Sequence, residues 1–219
     1  MALVERNSTF DVRIPAGSSY SFSHSQNGGT DGCLVVIVSA QSVNTSSVTY
    51  GGQSMTNKRS QSTPYSTDWS VWELKNPPTG SNTIQVTLSG GSWNSTSTIC
   101  YSFTGSDGVG VTSYNGTQSN PSTTSLTITA NSMILGALIG GNSTSAYIEI
   151  PQGSSRPVDW NHNINNFTWG GISPSLTSGS KTIEGGSTAT SVIMGVEILE
   201  KSTPPPPPTQ NSNFLTFFH

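Results

Sequence analysis

The sequence predicts an all-β protein: a two-layer antiparallel β-sandwich, jelly-roll-like, over residues 1–201, followed by an extended proline-rich tail over 202–219. Short runs that alternate or stay apolar recur along the chain, rich in β-branched residues and separated by Gly, Pro, Asn and Ser clusters. No 11-residue window carries a helical stripe. Charged residues make up only 9% of the chain and the net charge is -3, while Ser and Thr supply about 31%. Disorder would pair low hydrophobicity with high net charge. Here the charge is small and the 32% of hydrophobic residues are periodic, which indicates a folded, turn-dense chain.

The strands are expected at TFDVRI (9–14), CLVVIVSA (33–40), SVTY (47–50), WSVWEL (69–74), NTIQVTL (82–88), STICYSF (97–103) and VGVTSY (109–114). They continue with SLTIT (125–129), MILGALI (133–139), AYIEI (146–150) and SVIMGVEIL (191–199). Continuous runs such as Leu34–Val38 and Met133–Ile139 suit strands covered on both faces, and alternating ones suit strands with one wet face. An internal echo links them: a polar-alternating strand, a short turn, then a strongly apolar strand, as in SLTIT-ANS-MILGALI and KTI-EGGSTAT-SVIMGVEIL. TFDVRI followed by CLVVIVSA reads the same way. One core is expected, from Leu34, Val36, Val38, Trp72, Leu74, Ile84, Val86, Ile99, Ile128, Ile134, Leu138, Val192, Met194 and Val196.

Gly51-Gly52 after Tyr50 supplies positive φ for a tight turn, and Pro77-Pro78-Thr-Gly80 turns the chain into the strand near Asn82. Residues 151–190 hold fewer strand signals and are expected as long loops at one end of the sandwich, with a short strand at Phe167–Trp169. In the tail, Pro204–Pro208 form a polyproline spacer of roughly 15 Å. Beyond it, Phe214, Leu215, Phe217 and Phe218 form an apolar peptide expected to dock on a partner as a short strand or plug rather than fray.

The chemistry-bearing residues are sparse. Eight Lys and Arg in a mildly acidic chain cannot neutralise a phosphate backbone, which argues against nucleic acid. No run approaches the roughly 18 apolar residues of a spanning helix, so no membrane partner is expected. Cys33 and Cys100 sit in apolar runs and are expected as buried thiols rather than a disulfide or metal pair. Six Asn-x-Ser/Thr triplets, at Asn7, Asn44, Asn94, Asn115, Asn142 and Asn166, reflect a composition rich in Asn, Ser and Thr.

Of the three histidines, His24 is placed in a Ser-rich turn, His162 in a polar loop with Asp159, and His219 at the end. No Gly-x-Ser-x-Gly elbow, close carboxylate pair or calcium-loop spacing accompanies them, so neither catalysis nor a cofactor is expected. Asp107 in Gly-Ser-Asp-Gly reads as a turn former. Aromatic residues in polar company, Trp93, Trp160 and Trp169 with Trp69, Tyr65 and Tyr114, are candidates for stacking on sugar rings.

The stretches SVTYGGQSMTNK, WSVWELKNPPTGSNTIQVTLSG and CYSFTGSDGVGVTSYNGTQSNPSTTSLTITANSMILGALIGG carry a pattern of V-T-Y-G-G-x-x-[LM]-T, an aromatic strand, P-x-x-G, a V-x-V strand and a Phe-x-Gly turn. Its positions are Val48, Thr49, Tyr50, Gly51, Gly52, Met55 and Thr56, then Trp72, Leu74, Pro78, Gly80, Ile84 and Val86, then Phe103 and Gly105. Over about residues 8–199 this resembles β-sandwich modules of phage virion proteins and bacterial surface proteins. The resemblance implies a jelly-roll-like or immunoglobulin-like sandwich used for assembly or adhesion, with no catalytic residues. The first twenty residues lack a secretory signal, while the hydroxyl-rich surface suits work outside cells. A virion location reconciles the two, with synthesis in the host cytoplasm. The expected role is therefore structural, as a capsid decoration or head-fibre subunit. Its expected partners are copies of itself and other virion proteins such as the major capsid protein. A glycan-binding adhesive module is the alternative.

Overall fold

The computed structural model describes residues 2–13, 18–26, 31–89, 95–129, 131–140, 146–150, 154–156, 167–188 and 190–202. Nine strands form its first half: β1 Val4–Arg13, β2 Ser19–Gln26, β3 Cys33–Gln41, β4 Asn44–Tyr50, β5 Gln53–Ser54, β6 Thr56–Ser62, β7 Thr67–Lys75, β8 Gly80–Ser89 and β9 Thr96–Thr104. The second half holds β10 Ser106–Ser119, β11 Ser122–Ile128, β12 Met133–Gly140, β13 Ala146–Ile150, β14 Ser154–Arg156, β15 Phe167–Ile172, β16 Gly179–Ser187 and β17 Ser191–Glu200. The antiparallel all-β sandwich expected from the sequence is what the structure shows.

Its layering is doubled. Four sheets are present, ordered β1-β9-β3-β7-β6 and β2-β8-β4-β5 in the first half, β10-β17-β12-β15 and β11-β16-β13-β14 in the second. The single expected core is replaced by three. Leu34, Val36, Val38, Trp72, Ile84 and Val86 fill the space between the two sheets of the first half. Ile128, Ile134 and Leu138 do so in the second. Ile99, Val192, Met194 and Val196 belong to a third core, the seam where the β9-containing and β17-containing sheets pack face to face. The inner sheets are thus covered on both sides. Along β3, Val35 and Ile37 turn to the seam while Leu34, Val36 and Val38 turn outward. A period-2 chain buried on both faces must be apolar at every position, which is why CLVVIVSA and MILGALI lack alternation.

The outer sheets face water on one side, and β11 alternates strictly between buried and exposed residues. Residues 151–190 hold more structure than expected. Besides β14 and β15 they include β16, which lies between β11 and β13. Two devices fit β16 and β17 into the second half. A Cβ on Gly195 would lie 2.5 Å from Ile183 Cδ1, and one on Gly185 would lie 2.8 Å from Leu138 Cδ1. Backbone therefore stands where larger side chains need room.

The strand order of one half maps onto the other. Reading β1, β2, β3, β4, β5, β7, β8 and β9 as β10, β11, β12, β13, β14, β15, β16 and β17 converts both sheets of the first half into both sheets of the second, β6 excepted. The sequence keeps a trace of this. Gly-Ser-Asn-Thr-Ile at 80–84 opens β8 and Gly-Ser-Lys-Thr-Ile at 179–183 opens β16. Each begins on a glycine at positive φ, 86° for Gly80 and 118° for Gly179, and each buries its isoleucine. The predicted echo is corrected in one place: the polar-alternating strand that precedes CLVVIVSA in the repeat is β2, not TFDVRI.

Strand registers set a common polarity. Val4 stands level with Thr104 and Cys33 with Lys75, while Arg13 stands level with Thr96 and Gln41 with Thr67 at the opposite end. The halves align the same way, because Tyr65 Oη donates to Thr190 O at the second end and Lys201 N donates to Gly105 O at the first. Val4 and Lys201 consequently lie at one end of the body. The ends of β3, β6, β8, β12 and β16 lie at the other.

Candidate functional site

The polar and aromatic groups that are not simple core collect where the edge strand β6 approaches the edge strand β10 across the seam. Arg59 on β6 lies with its guanidinium carbon 5.9 Å from the centre of the Tyr114 ring, and its Nη1 donates to Thr112 Oγ1 at 3.3 Å. Its Nη2 donates to Gln61 Oε1 at 3.2 Å. Tyr114 meets Trp69 edge-on, with ring centres 6.2 Å apart. Tyr65 packs on the same core and joins the halves through Thr190. Burial pushes the Tyr114 hydroxyl up from its ordinary range, partly opposed by the Arg59 charge. Three buried polar atoms here, Arg59 Nε, Trp69 Nε1 and Tyr114 Oη, have no protein hydrogen-bond partner. Buried polar atoms normally find one, so these three are unmet hydrogen-bonding groups at the rim.

Beside the rim, the first part of β10 is gripped by two carboxylates. Glu73 Oε2 accepts from Val109 N and lies 3.8 Å from Lys58 Nζ. Glu197 Oε2 accepts from Val111 N at 3.1 Å, and its Oε1 accepts from Thr129 N at 2.7 Å, Thr129 Oγ1 at 2.9 Å and Ser132 Oγ at 2.7 Å. Burial raises the Glu197 carboxyl, but these donors outweigh it and hold the group below its usual range. Gly108 and Gly110 leave the room: a Cβ on either would lie 2.4 Å or less from a carboxylate oxygen of Glu73 or Glu197.

His24 is corrected from a turn to a buried position in β2. Its Nδ1 lies 2.8 Å from Thr9 Oγ1 and its Nε2 2.5 Å from Ser102 Oγ, so the neutral ring donates through one nitrogen and accepts through the other. Tyr50 packs beside it, its hydroxyl donating to His24 O. Burial without a counter-charge lowers the His24 pKa to about 4. The ring ties β2 to the inner sheet.

Trp69 is corrected as well: it is fully buried in β7, facing the seam, and offers no face to a sugar. Tyr65 and Tyr114 are partly buried at the rim. Trp93, Trp160, His162, Asp159, Phe214, Leu215, Phe217 and Phe218 lie outside the described residues. Trp169 lies in β15, its backbone paired with Leu138 of β12. Cys33 and Cys100 are buried free thiols in different cores, Cys33 at the seam and Cys100 between the first-half sheets. Burial pushes the Cys33 thiol up to about 12. Asp107 is the second residue of β10 rather than part of a turn, and it lies 3.7 Å from Lys75. Among the described residues, no three His, Cys, Asp or Glu side chains gather as a metal would require.

Sequence reasoning passed over Glu73, Glu197 and Arg59. The available signal was a lone charge inside an apolar run, as in SVIMGVEIL and WSVWEL. A search against family models finds no match, and neither does a search of curated proteins.

Proposed function

We propose that the chain is a non-catalytic structural protein of a virion, a capsid decoration or head-fibre subunit. It presents a stacked pair of sandwiches and attaches by apolar and strand-edge contacts through residues 204–219. The observation that supports this reading is polarity: Lys201, from which the tail continues, lies at the end of the body opposite the exits of β3, β6, β8, β12 and β16. A tether at one end leaves the other free for display. With so few charges, assembly must rest on buried apolar surface more than on electrostatic steering. Partners of this kind are the major capsid protein and further copies of the chain, in a particle assembled in the host cytoplasm. The test is deletion of residues 204–219 followed by sedimentation with particles built from the major capsid protein. A folded body left in the supernatant is expected, and normal incorporation would end the tether reading.

The rim favours a second reading, adhesion to a glycan, because Tyr65, Tyr114 and Arg59 are only partly covered. Specific glycan-array binding that is lost on Tyr114→Ala would support it. Loss only on Trp93→Ala, Trp160→Ala or Trp169→Ala would move the site away from the rim.

A further inference from the structure

We infer that the seam is a self-recognition surface, a two-fold contact between like modules folded into one chain, so that its fitting partner is the complementary half, whether from the same chain or from a second copy. This rests on packing and not on the virion reading. Each half closes its own two-sheet core, one built around Leu34, Trp72 and Ile84, the other around Ile134, Leu138 and Ile183. Neither core needs residues of the other half. Among the described residues, the seam then receives nine buried side chains from each half, almost all apolar, as in obligate subunit interfaces.

The stacking direction is that of a two-fold axis rather than a shift. β10, the counterpart of β1, packs across β3 and β7 of the first half. β15, the counterpart of β7, packs on β9, where Gly170 lets Ile99 and Tyr101 come close. One inner sheet therefore runs reversed over the other, which makes the contact isologous: like surface meets like surface. The covalent link across it is a single residue, Gly105, at φ 65° between Thr104 and Ser106. Such a short hinge between two complementary bodies is the arrangement from which halves exchange between copies.

The test uses the full-length chain with a specific protease site inserted at Gly105. After cutting, the two halves are expected to co-elute in a 1:1 complex at the size of the uncut protein. A brief denaturation of cut tagged and cut untagged protein together, then refolding, should let a tagged first half capture an untagged second half. Ala137→Asp, which places a charge in the seam, should abolish both behaviours while each half stays β-rich by circular dichroism. Halves that separate at micromolar concentration on cutting, or that stay joined despite Ala137→Asp, overturn the inference. Loss of the fold on insertion alone does so too, since self-recognition requires two bodies that hold without a fixed link.

Discussion

The two halves share a strand order and differ in what fills it. The core between the first-half sheets is built on aromatics, with Tyr20, Tyr50 and Trp72 among its members. Its second-half equivalent is wholly aliphatic among the described residues, and glycines at 185 and 195 admit the branched side chains. The first half also adds β6 and a buried histidine. One topology thus tolerates two packing solutions, because alternation and turn placement specify which face is inward, whereas volume is matched locally.

The largest expected effect falls on what the halves share. In the uncut protein, Ala137→Asp should cost more than about 4 kcal/mol of the contact between the halves, because an unpaired charge would be buried in the seam, and chemical denaturation should show the two halves unfolding in separate transitions. Ile84→Ala and Ile183→Ala remove matching side chains from the two outer cores, and each should cost about 3–4 kcal/mol by the same measurement. A loss in only one of them would break the equivalence. Glu197→Ala removes the acceptor of Val111 N and Thr129 N and should cost about 3 kcal/mol, with amide exchange rising first around Val111.

Acid should divide the halves. The neutral His24 ring is favoured in the fold, so its contribution is complete above the unfolded value of 6.5 and is lost as pH falls from there towards about 4. The expected loss is about 2–3 kcal/mol, seen as a fall in Tm that His24→Gln flattens. Amide exchange over that range should rise in β2 before β11. The smallest effect is expected at the exposed Lys75–Asp107 pair, where Lys75→Ala should change stability by less than about 0.5 kcal/mol.

The strands of the inner sheets were legible in the sequence because burial on both faces leaves unbroken apolar runs, as at Leu34–Val38 and Val192–Val196. β2 was hidden: its inward Tyr20, Phe22 and His24 alternate with serines, and a buried histidine reads as polar. β6 was hidden because an edge strand with Lys58, Arg59 and Gln61 has no apolar face to declare itself. The number of cores escaped for a different reason. A run buried on both sides states that two neighbours exist but not whether they belong to one sandwich or two. The rim was half legible, since Tyr65 and Tyr114 stood out as aromatics in polar company while Arg59 gained meaning only from the partner that folding brought to it.

Strand β6 has a consequence for crowding. It is the outermost strand of its sheet, mostly exposed, with Lys58 and Arg59 at its middle and no large apolar residue. An open margin of this sort is where neighbouring molecules would otherwise zip together into ribbons, and cationic side chains along it repel an identical margin. Along that flank, edge-to-edge pairing between identical molecules is disfavoured.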